Sequence, residues 1–255
     1  MKIEAFIISW EGKQLDALNI AEVISKEIET TVIDSNKKEQ PFAESGRFSW
    51  KHVSNDMFYG KKFQTSLDLL KDDSHMLQIQ ADAECADWIG LIRQLKTDLL
   101  LHPEIGVWSP LIDFTPYALE DVELNPAGRP LSSVIQTDGI VWAIHSSICK
   151  RLKSLDYAKN NLGWGIDWAA ICMSRASGRI VVCNQDVFVR HPRGPGYDTT
   201  EADRQMRRFI DGLQKPEKDM YHLLSQLYFF RKKAQKKPRR WYKKIKAALP
   251  HFSSN

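Results

Sequence analysis

Short apolar or β-branched runs alternate with helically spaced segments over the first hundred residues, and this alternation restricts the fold more than any other feature. Ile3 to Trp10 reads as a strand, closed by the polar turn Glu11-Gly12-Lys13. Leu15, Leu18, Ile20, Val23, Ile24 and Ile28 then share an approximate helical face. Thr30 to Ile33 is a short β-branched strand ending in Asp34-Ser35-Asn36. A Lys-, Gly- and Ser-rich loop leads to Trp50. Phe58 to Leu70 is helical in pattern, Met76 to Gln80 a strand, and Trp88 to Leu101 a helix. Such alternation implies an α/β fold, with a mostly parallel central sheet and helices on both faces.

The pattern loosens after residue 100. Ile105 to Trp108 reads as a strand, Asp113 to Pro130 as a loop, and Ser133 to Ala143 as a strand. His145 to Leu152 and Asp167 to Ser174 are helical. Arg179 to Val182 and Val187 to Val189 suggest strands of a small sheet. His191 to Tyr197 is an irregular loop by its Pro and Gly content, and Thr199 to Leu213 is a helix that Thr199 or Thr200 caps. No internal repeat is visible.

Composition sets further bounds. With 43% hydrophobic and 27% charged residues, the 255-residue chain has the profile of a soluble globular protein. The four cysteines are scattered with no Cys-x-x-Cys pair, which argues against a zinc site or a disulfide framework and suits a reducing cytoplasm. The N-terminal apolar run is short and interrupted by Glu4, unlike a signal peptide. No stretch approaches the roughly 20 apolar residues that a membrane span needs.

In open α/β sheets, ligands bind outside the carboxyl ends of the strands. Asp34 follows the second strand, and Asp82-Ala83-Glu84 follows the strand Met76 to Gln80. An Asp-x-Glu pair at a strand end can offer oxygens to a hard divalent cation that also takes substrate phosphates. Its bland alternative is an N-cap of the next helix. The segment Gly163-Trp164-Gly165-Ile166-Asp167-Trp168 packs two glycines, two tryptophans and a carboxylate into six residues. Indole faces suit sugar rings, and the carboxylate is a candidate general base. Read blandly, the segment is a buried turn with a capping Asp.

Taken together, these segments resemble the GT-A fold of glycosyltransferases, and the family-2-like group in particular, over roughly residues 3 to 213. The resemblance implies that Asp34 contacts the nucleotide base, that Lys61, Lys62 and Gln64 lie near the diphosphate, and that Ser9 and Gln80 belong to the donor site. Leu77 to Asp82 resembles the group's metal motif, an apolar strand ending in Asp-x-Asp. Gln80 replaces the first Asp, which leaves Asp82 as the match and Glu84 as a second carboxylate. His191, 24 residues after Asp167, has the placement of the histidine that completes metal binding in this fold. The implied cofactor is Mn²⁺ or Mg²⁺, and the implied donor a nucleotide-diphosphate sugar. Asp167 matches the acidic residue that deprotonates the acceptor hydroxyl, with an inverting outcome. Asp138, Trp164 and Gly165 are acceptor-side candidates, the glycines leaving room for an acceptor.

The net charge of +4 hides a basic terminus. Ten Lys/Arg and no Asp or Glu lie between Arg231 and Lys246. Met220, Leu223, Leu224, Leu227 and Phe230 form an apolar stripe, and Trp241, Ile245 and Leu249 recur among the lysines. The expected organisation is a GT-A domain at 1–215 and a basic amphipathic extension at 216–255. A basic amphipathic helix suits an anionic membrane surface, here through residues 231–249. This favours a cytoplasmic protein held at the inner face of a membrane, acting on a glycan or lipid-linked acceptor as in bacterial surface polysaccharide assembly. No nucleic-acid partner is expected, because the basic charge is confined to one terminal segment without a recognition motif. Two alternatives stand beside the transferase: a non-catalytic α/β module that binds membrane or nucleic acid through the tail, and a metal-dependent phosphate hydrolase using the same carboxylates.

Overall fold

Strand β1 (Ile3–Trp10) is buried on both faces, as its near-continuous apolar run requires. Successive side chains point to opposite faces. Phe6 and Ile8 enter one hydrophobic cluster, and Ile3, Ala5 and Ile7 enter another on the far side of the sheet. The same division holds along the chain in the computed structural model, which describes residues 1–36, 46–113, 122–124 (backbone only), 131–191 and 198–229.

The remaining elements are α1 (Gln14–Ile24), β2 (Glu29–Ser35), β3 (Ser49–Val53), α2 (Tyr59–Leu69), β4 (His75–Gln80), α3 (Trp88–Leu101), β5 (Ile105–Ile112), β6 (Val122–Leu124), β7 (Leu131–Val134), β8 (Val141–Ile144), α4 (Ser146–Leu152), α5 (Ile166–Ala176), β9 (Ile180–Val189) and α6 (Thr199–Ile210). A 3₁₀ turn, Tyr157–Lys159, precedes α5. Residues 215–229 are helical as well. The strands form one sheet in the order β3-β2-β1-β4-β8-β5-β9-β7-β6. Helices α1 and α3 cover one face, with Ile20, Ile24, Leu91 and Leu95 in its cluster. Helices α2, α4, α5 and α6 cover the other, joined there by Leu224 and Tyr228 of 215–229.

The sheet is mixed, with β7 and β8 running against the other seven strands, which share one direction as expected of a mostly parallel sheet. β1 pairs in parallel with β2 and β4, β2 with β3, and β5 with β9. β8 lies antiparallel between β4 and β5, and β7 antiparallel to β9 and β6. The expected strand Ser133 to Ala143 is therefore two strands. Between them, residues 135–140 pass over β5, where Thr137 Oγ1 donates to Ser109 Oγ. The link returns the chain to the carboxyl end of β4, where Gln80 N donates to Ile140 O at 2.8 Å. β7 and β8 both run against β5 and β9, so this six-residue link joins two strands of the same sense without a helix. The two short strands expected at 179–189 are one strand of the main sheet, β9, with a register shift against β5 between Pro110 and Leu111. β3 was not legible in the sequence.

One consequence positions the site. β1, β2, β3, β4, β5 and β9 all run in one direction, so their carboxyl ends share one edge. Ser9, Asp34, Gln80, Asp82 and His191 all lie at or just beyond those ends.

Candidate active site

The donor-side candidates at this edge centre on β1 and β2. Ser9 and Asp34 are register partners, both buried. Gln14 Nε2 approaches Asp34 Oδ1 at 3.4 Å from the start of α1. Lys62 reaches the same spot from α2 and donates from Nζ to Ser9 O at 2.6 Å. Only 3% of Lys62 is exposed, and burial pushes its ammonium down to about 8, with the Asp34 charge opposing the shift. This ammonium is committed to the β1 end instead of projecting freely. Lys61 and Gln64 stand half-buried on the same helix.

The metal-side candidates separate into two groups. Asp82 Oδ2 and His191 Nε2 are 3.5 Å apart, with both side chains mostly covered. His191 N donates to Asp113 Oδ1 at 2.8 Å, so the carboxylate following β5 fixes the start of the loop after β9. Glu84 is exposed and turned to Arg190: the two residues exchange backbone bonds at 2.9 and 2.8 Å, and Glu84 Oε2 is 3.6 Å from Arg190 Nη1. Among the described residues no three His, Cys, Asp or Glu side chains cluster as a metal site. Yet Asp82 Oδ1 is buried without a hydrogen-bond partner among them. Leaving such an acceptor unmatched costs about 1–3 kcal/mol. An unmatched carboxylate oxygen beside an imidazole nitrogen fits a divalent cation whose other ligands come from substrate phosphates and water.

Lys13 is a cation that sequence reasoning passed over. It sits in the β1–α1 turn and pairs with Asp16 at 2.7 Å, which holds its ammonium above the usual lysine value. The charges of Asp82 and Glu84 act on it in the same sense. The signal was present in the turn Glu11-Gly12-Lys13, directly after the first strand.

The acceptor-side candidates centre on Asp167, in the first turn of α5. Part of the residue reaches solvent, yet its carboxyl is enclosed deeply enough that desolvation pushes it up to about 7. The nearby charge of Asp138 adds to the shift, while backbone N–H groups of the helix start oppose it. Asp138 lies on the link before β8, so the crossing of residues 135–140 is what brings the two carboxylates together. Trp164 is half-buried, and its carbonyl accepts from Asn160 Nδ2 at 3.0 Å. Trp108, Trp142 and Trp168 belong to the core.

The two glycines of the segment serve close packing. Gly163 has φ +84°, and a Cβ there would lie 2.3 Å from Tyr59 Cδ1. Gly165, at φ +86°, precedes α5, and a Cβ there would meet Met206 Cγ at 2.9 Å. The room expected for an acceptor at Gly165 is therefore taken by α6, and Trp164, Asp138 and Asp167 remain as the acceptor-side candidates. Tyr59, also passed over in the sequence, donates from its hydroxyl to Gln78 Oε1 at 2.8 Å and lies 3.3 Å from Gly139 O.

No protein-family model and no curated protein matches the sequence. Solved structures do match the fold. One is the crystal structure of GalNAc-T7 with UDP, GalNAc and Mn²⁺, at 13% identity and TM-score 0.62, covering 87% of this chain and 50% of that one. Another is the mannosyltransferase PcManGT from Pyrobaculum calidifontis in complex with GDP-Man and Mn²⁺, at 12% identity and TM-score 0.55, covering 87% of this chain and 68% of that one. The chain thus spans half the length of GalNAc-T7. At this identity the likeness establishes the fold, which is the GT-A type of α/β fold.

Proposed function

We propose that the protein is a glycosyltransferase that moves a sugar from a nucleoside-diphosphate donor to a hydroxyl of a glycan or lipid-linked acceptor, with inversion. The observation that carries this reading is the arrangement at one sheet edge: an enclosed Asp167 carboxylate beside Asp138, and the Asp82–His191 pair with an unmatched carboxylate oxygen. Structural neighbours that bind UDP or GDP-Man with Mn²⁺ support it.

In this mechanism Asp34 and Gln14 hold the base, and Lys13 neutralises diphosphate charge near the Asp82 loop. Asp82 and His191 would hold a divalent cation, which when bound supplies charge stabilisation to the departing diphosphate. Asp167 accepts the acceptor's hydroxyl proton as that oxygen bonds to the anomeric carbon. The bond from that carbon to phosphate oxygen breaks, and its electron pair leaves with the nucleoside diphosphate. Attack from the face opposite the leaving group gives inversion. A base near 7 is well matched to neutral pH, and such assistance is worth about 10²–10⁴-fold. Activity rises with pH through about 7 as Asp167 ionises.

The acceptor is proposed to be presented at a membrane. Residues 231–249, which lie outside the described residues, carry ten of the 36 Lys and Arg and no Asp or Glu. Among the described residues, no helix is long and apolar enough to cross a membrane. Attachment would then be peripheral, on the cytoplasmic face, as surface polysaccharide assembly requires.

A melting screen of uridine, guanosine, cytidine and thymidine diphosphates, each with Mn²⁺, tests the reading. A ligand at 100 times its dissociation constant adds about 2.7 kcal/mol. One diphosphate should raise the melting temperature in a Mn²⁺-dependent way, and Asp82→Asn and His191→Ala should abolish that dependence. If none of the four shifts the wild type, the transferase reading fails. Release of free sugar without an acceptor would favour the hydrolase instead.

A further inference from the structure

The loop that carries Trp164 and leads into Asp167 on α5 is fastened to α2, which is about a hundred residues earlier in the chain. Phe58 N donates to Asn161 Oδ1 at 3.0 Å and Gly60 N to Asn161 O at 2.8 Å. Asn161 Nδ2 in turn donates to Asp56 O at 2.9 Å. Amides at the start of a helix have no partner within it, so Asn161 caps α2 from outside. The fit is close: a Cβ at Gly60 would lie 1.8 Å from Asn160 O. Asn160 is fully buried and organises the loop itself, donating to Trp164 O at 3.0 Å and accepting from Gly163 N at 3.1 Å.

Tyr59 stands in the middle of this joint. Its ring occupies the space that a side chain at Gly163 would need. Its hydroxyl faces Gln78 Oε1 on β4 and Gly139 O, next to Asp138. Trp142 Nε1 also donates to Gln78 Oε1. One tyrosine thus touches the Asp167 loop with its ring and the Asp138 segment with its hydroxyl. The same helix carries Lys61, Lys62 and Gln64 one turn further on, and Lys62 ends at the floor of the donor side.

We infer that Tyr59, with Asn161, is a positioning clasp that fixes Asp167 and Asp138 relative to each other and to the donor-side helix α2. The role assigned to the clasp rests on the transferase reading; the joint itself does not. The titratable groups that share an electrostatic influence with Asp167 are Asp138 on the link before β8, Tyr59 on α2, Cys172 on α5 and Tyr221 on residues 215–229. Of these, Asp138 is the charge whose distance the clasp controls. Loosening the joint moves Asp138 away and admits water, and both changes lower the pH at which Asp167 ionises.

The test uses the full chain carrying Tyr59→Phe, which keeps the ring against Gly163 and removes the hydroxyl, and separately Asn161→Ala. Four quantities are read: kcat, donor KM, the pH–rate profile, and the carboxyl titration of Asp167 by ¹³C NMR, with Asp167→Asn for assignment. A displacement of reacting groups by about 1 Å costs about 10²-fold. Tyr59→Phe should therefore lower kcat by about 10- to 100-fold, leave donor KM within about 2-fold, and move both pH midpoints to lower pH by about half a unit or more. Asn161→Ala should act in the same direction. Unchanged midpoints overturn the inference, whether kcat is unchanged or falls along with the melting temperature. If the wild type transfers no sugar, the transferase reading falls separately, and the NMR titration decides the clasp: a shifted Asp167 midpoint in Tyr59→Phe upholds it, and an unshifted one overturns it.

Discussion

Asp167 shows how a proposed catalytic group weakens the fold that holds it. Its carboxyl is enclosed at the start of α5, and desolvation pushes it to about 7 from the ordinary 3.8. Between these two values the folded protein holds a proton that the unfolded chain has released. Stability therefore falls as pH rises from about 4 to about 7, and the loss is complete above the folded value. An amide of the same shape carries no charge to desolvate. Asp167→Asn should raise the melting temperature at pH 8, and the gain should be much smaller at pH 5, vanishing below about 4, where the carboxyl is protonated in both the folded and the unfolded chain. The same substitution should remove most turnover while leaving donor binding nearly intact. A melting comparison at the two pH values checks the first expectation, and a gain of equal size at both would show that the shift does not arise from burial of the charge. The residue type and the glycine setting made Asp167 legible in the sequence. The Asp138 contact that adds to its shift was not, since it depends on where residues 135–140 cross the sheet.

At the scale of elements, helix α3 is held to the sheet by a polar node as well as by its apolar face. Asp98 is 3% exposed and accepts from Trp108 Nε1 on β5 at 2.8 Å, from Asn184 Nδ2 on β9 at 2.7 Å and from Gln94 Nε2 at 2.9 Å. Asp98→Ala would leave the first two donors buried and unmatched, at about 1–3 kcal/mol each. The variant should lose about 2–6 kcal/mol of stability, read from its denaturant midpoint, whereas Asp98→Asn keeps an acceptor oxygen and should lose less. A wild-type midpoint for Asp98→Ala would mean that water replaces the carboxylate. The contrast between this node and β1 explains what the sequence discloses. β1, β4, α1 and α3 were visible because their own apolar spacing is set by local burial. β3 was not, since only Val53 of its five residues is buried and the strand is defined by its neighbour β2. The split of residues 133–143 was hidden for a related reason: Ile135, Gln136 and Thr137 are as buried as strand residues, although they form the link and not a ladder.

At the scale of the whole molecule, the expected division at residue 215 meets a helix that belongs to the core. Leu224 and Tyr228 lie in the same cluster as α5, and Trp168 packs edge-on against Tyr221 at 5.5 Å and Tyr228 at 6.4 Å. Arg151 grips Glu217 through Nε at 2.9 Å and Nη2 at 3.1 Å, with Glu217 only 6% exposed. Residues 215–229 thus wall the helix that carries Asp167. The basic run begins after them, with Arg231, so the proposed membrane part lies beyond the described residues, which end at Phe229. Near an anionic surface each Lys or Arg contributes about 1 kcal/mol, a contribution that salt screens. A chain ending at Phe229 should keep the wild-type melting temperature and any Mn²⁺-dependent nucleotide shift, but should no longer sediment with vesicles of anionic lipid at low salt. A chain ending at Gln214 should melt lower, because it exposes Trp168 and strands Arg151. If the chain ending at Phe229 bound the vesicles as well as the full protein did, the basic terminus would not be the attachment, and the proposal of an acceptor presented at a membrane would lose its support.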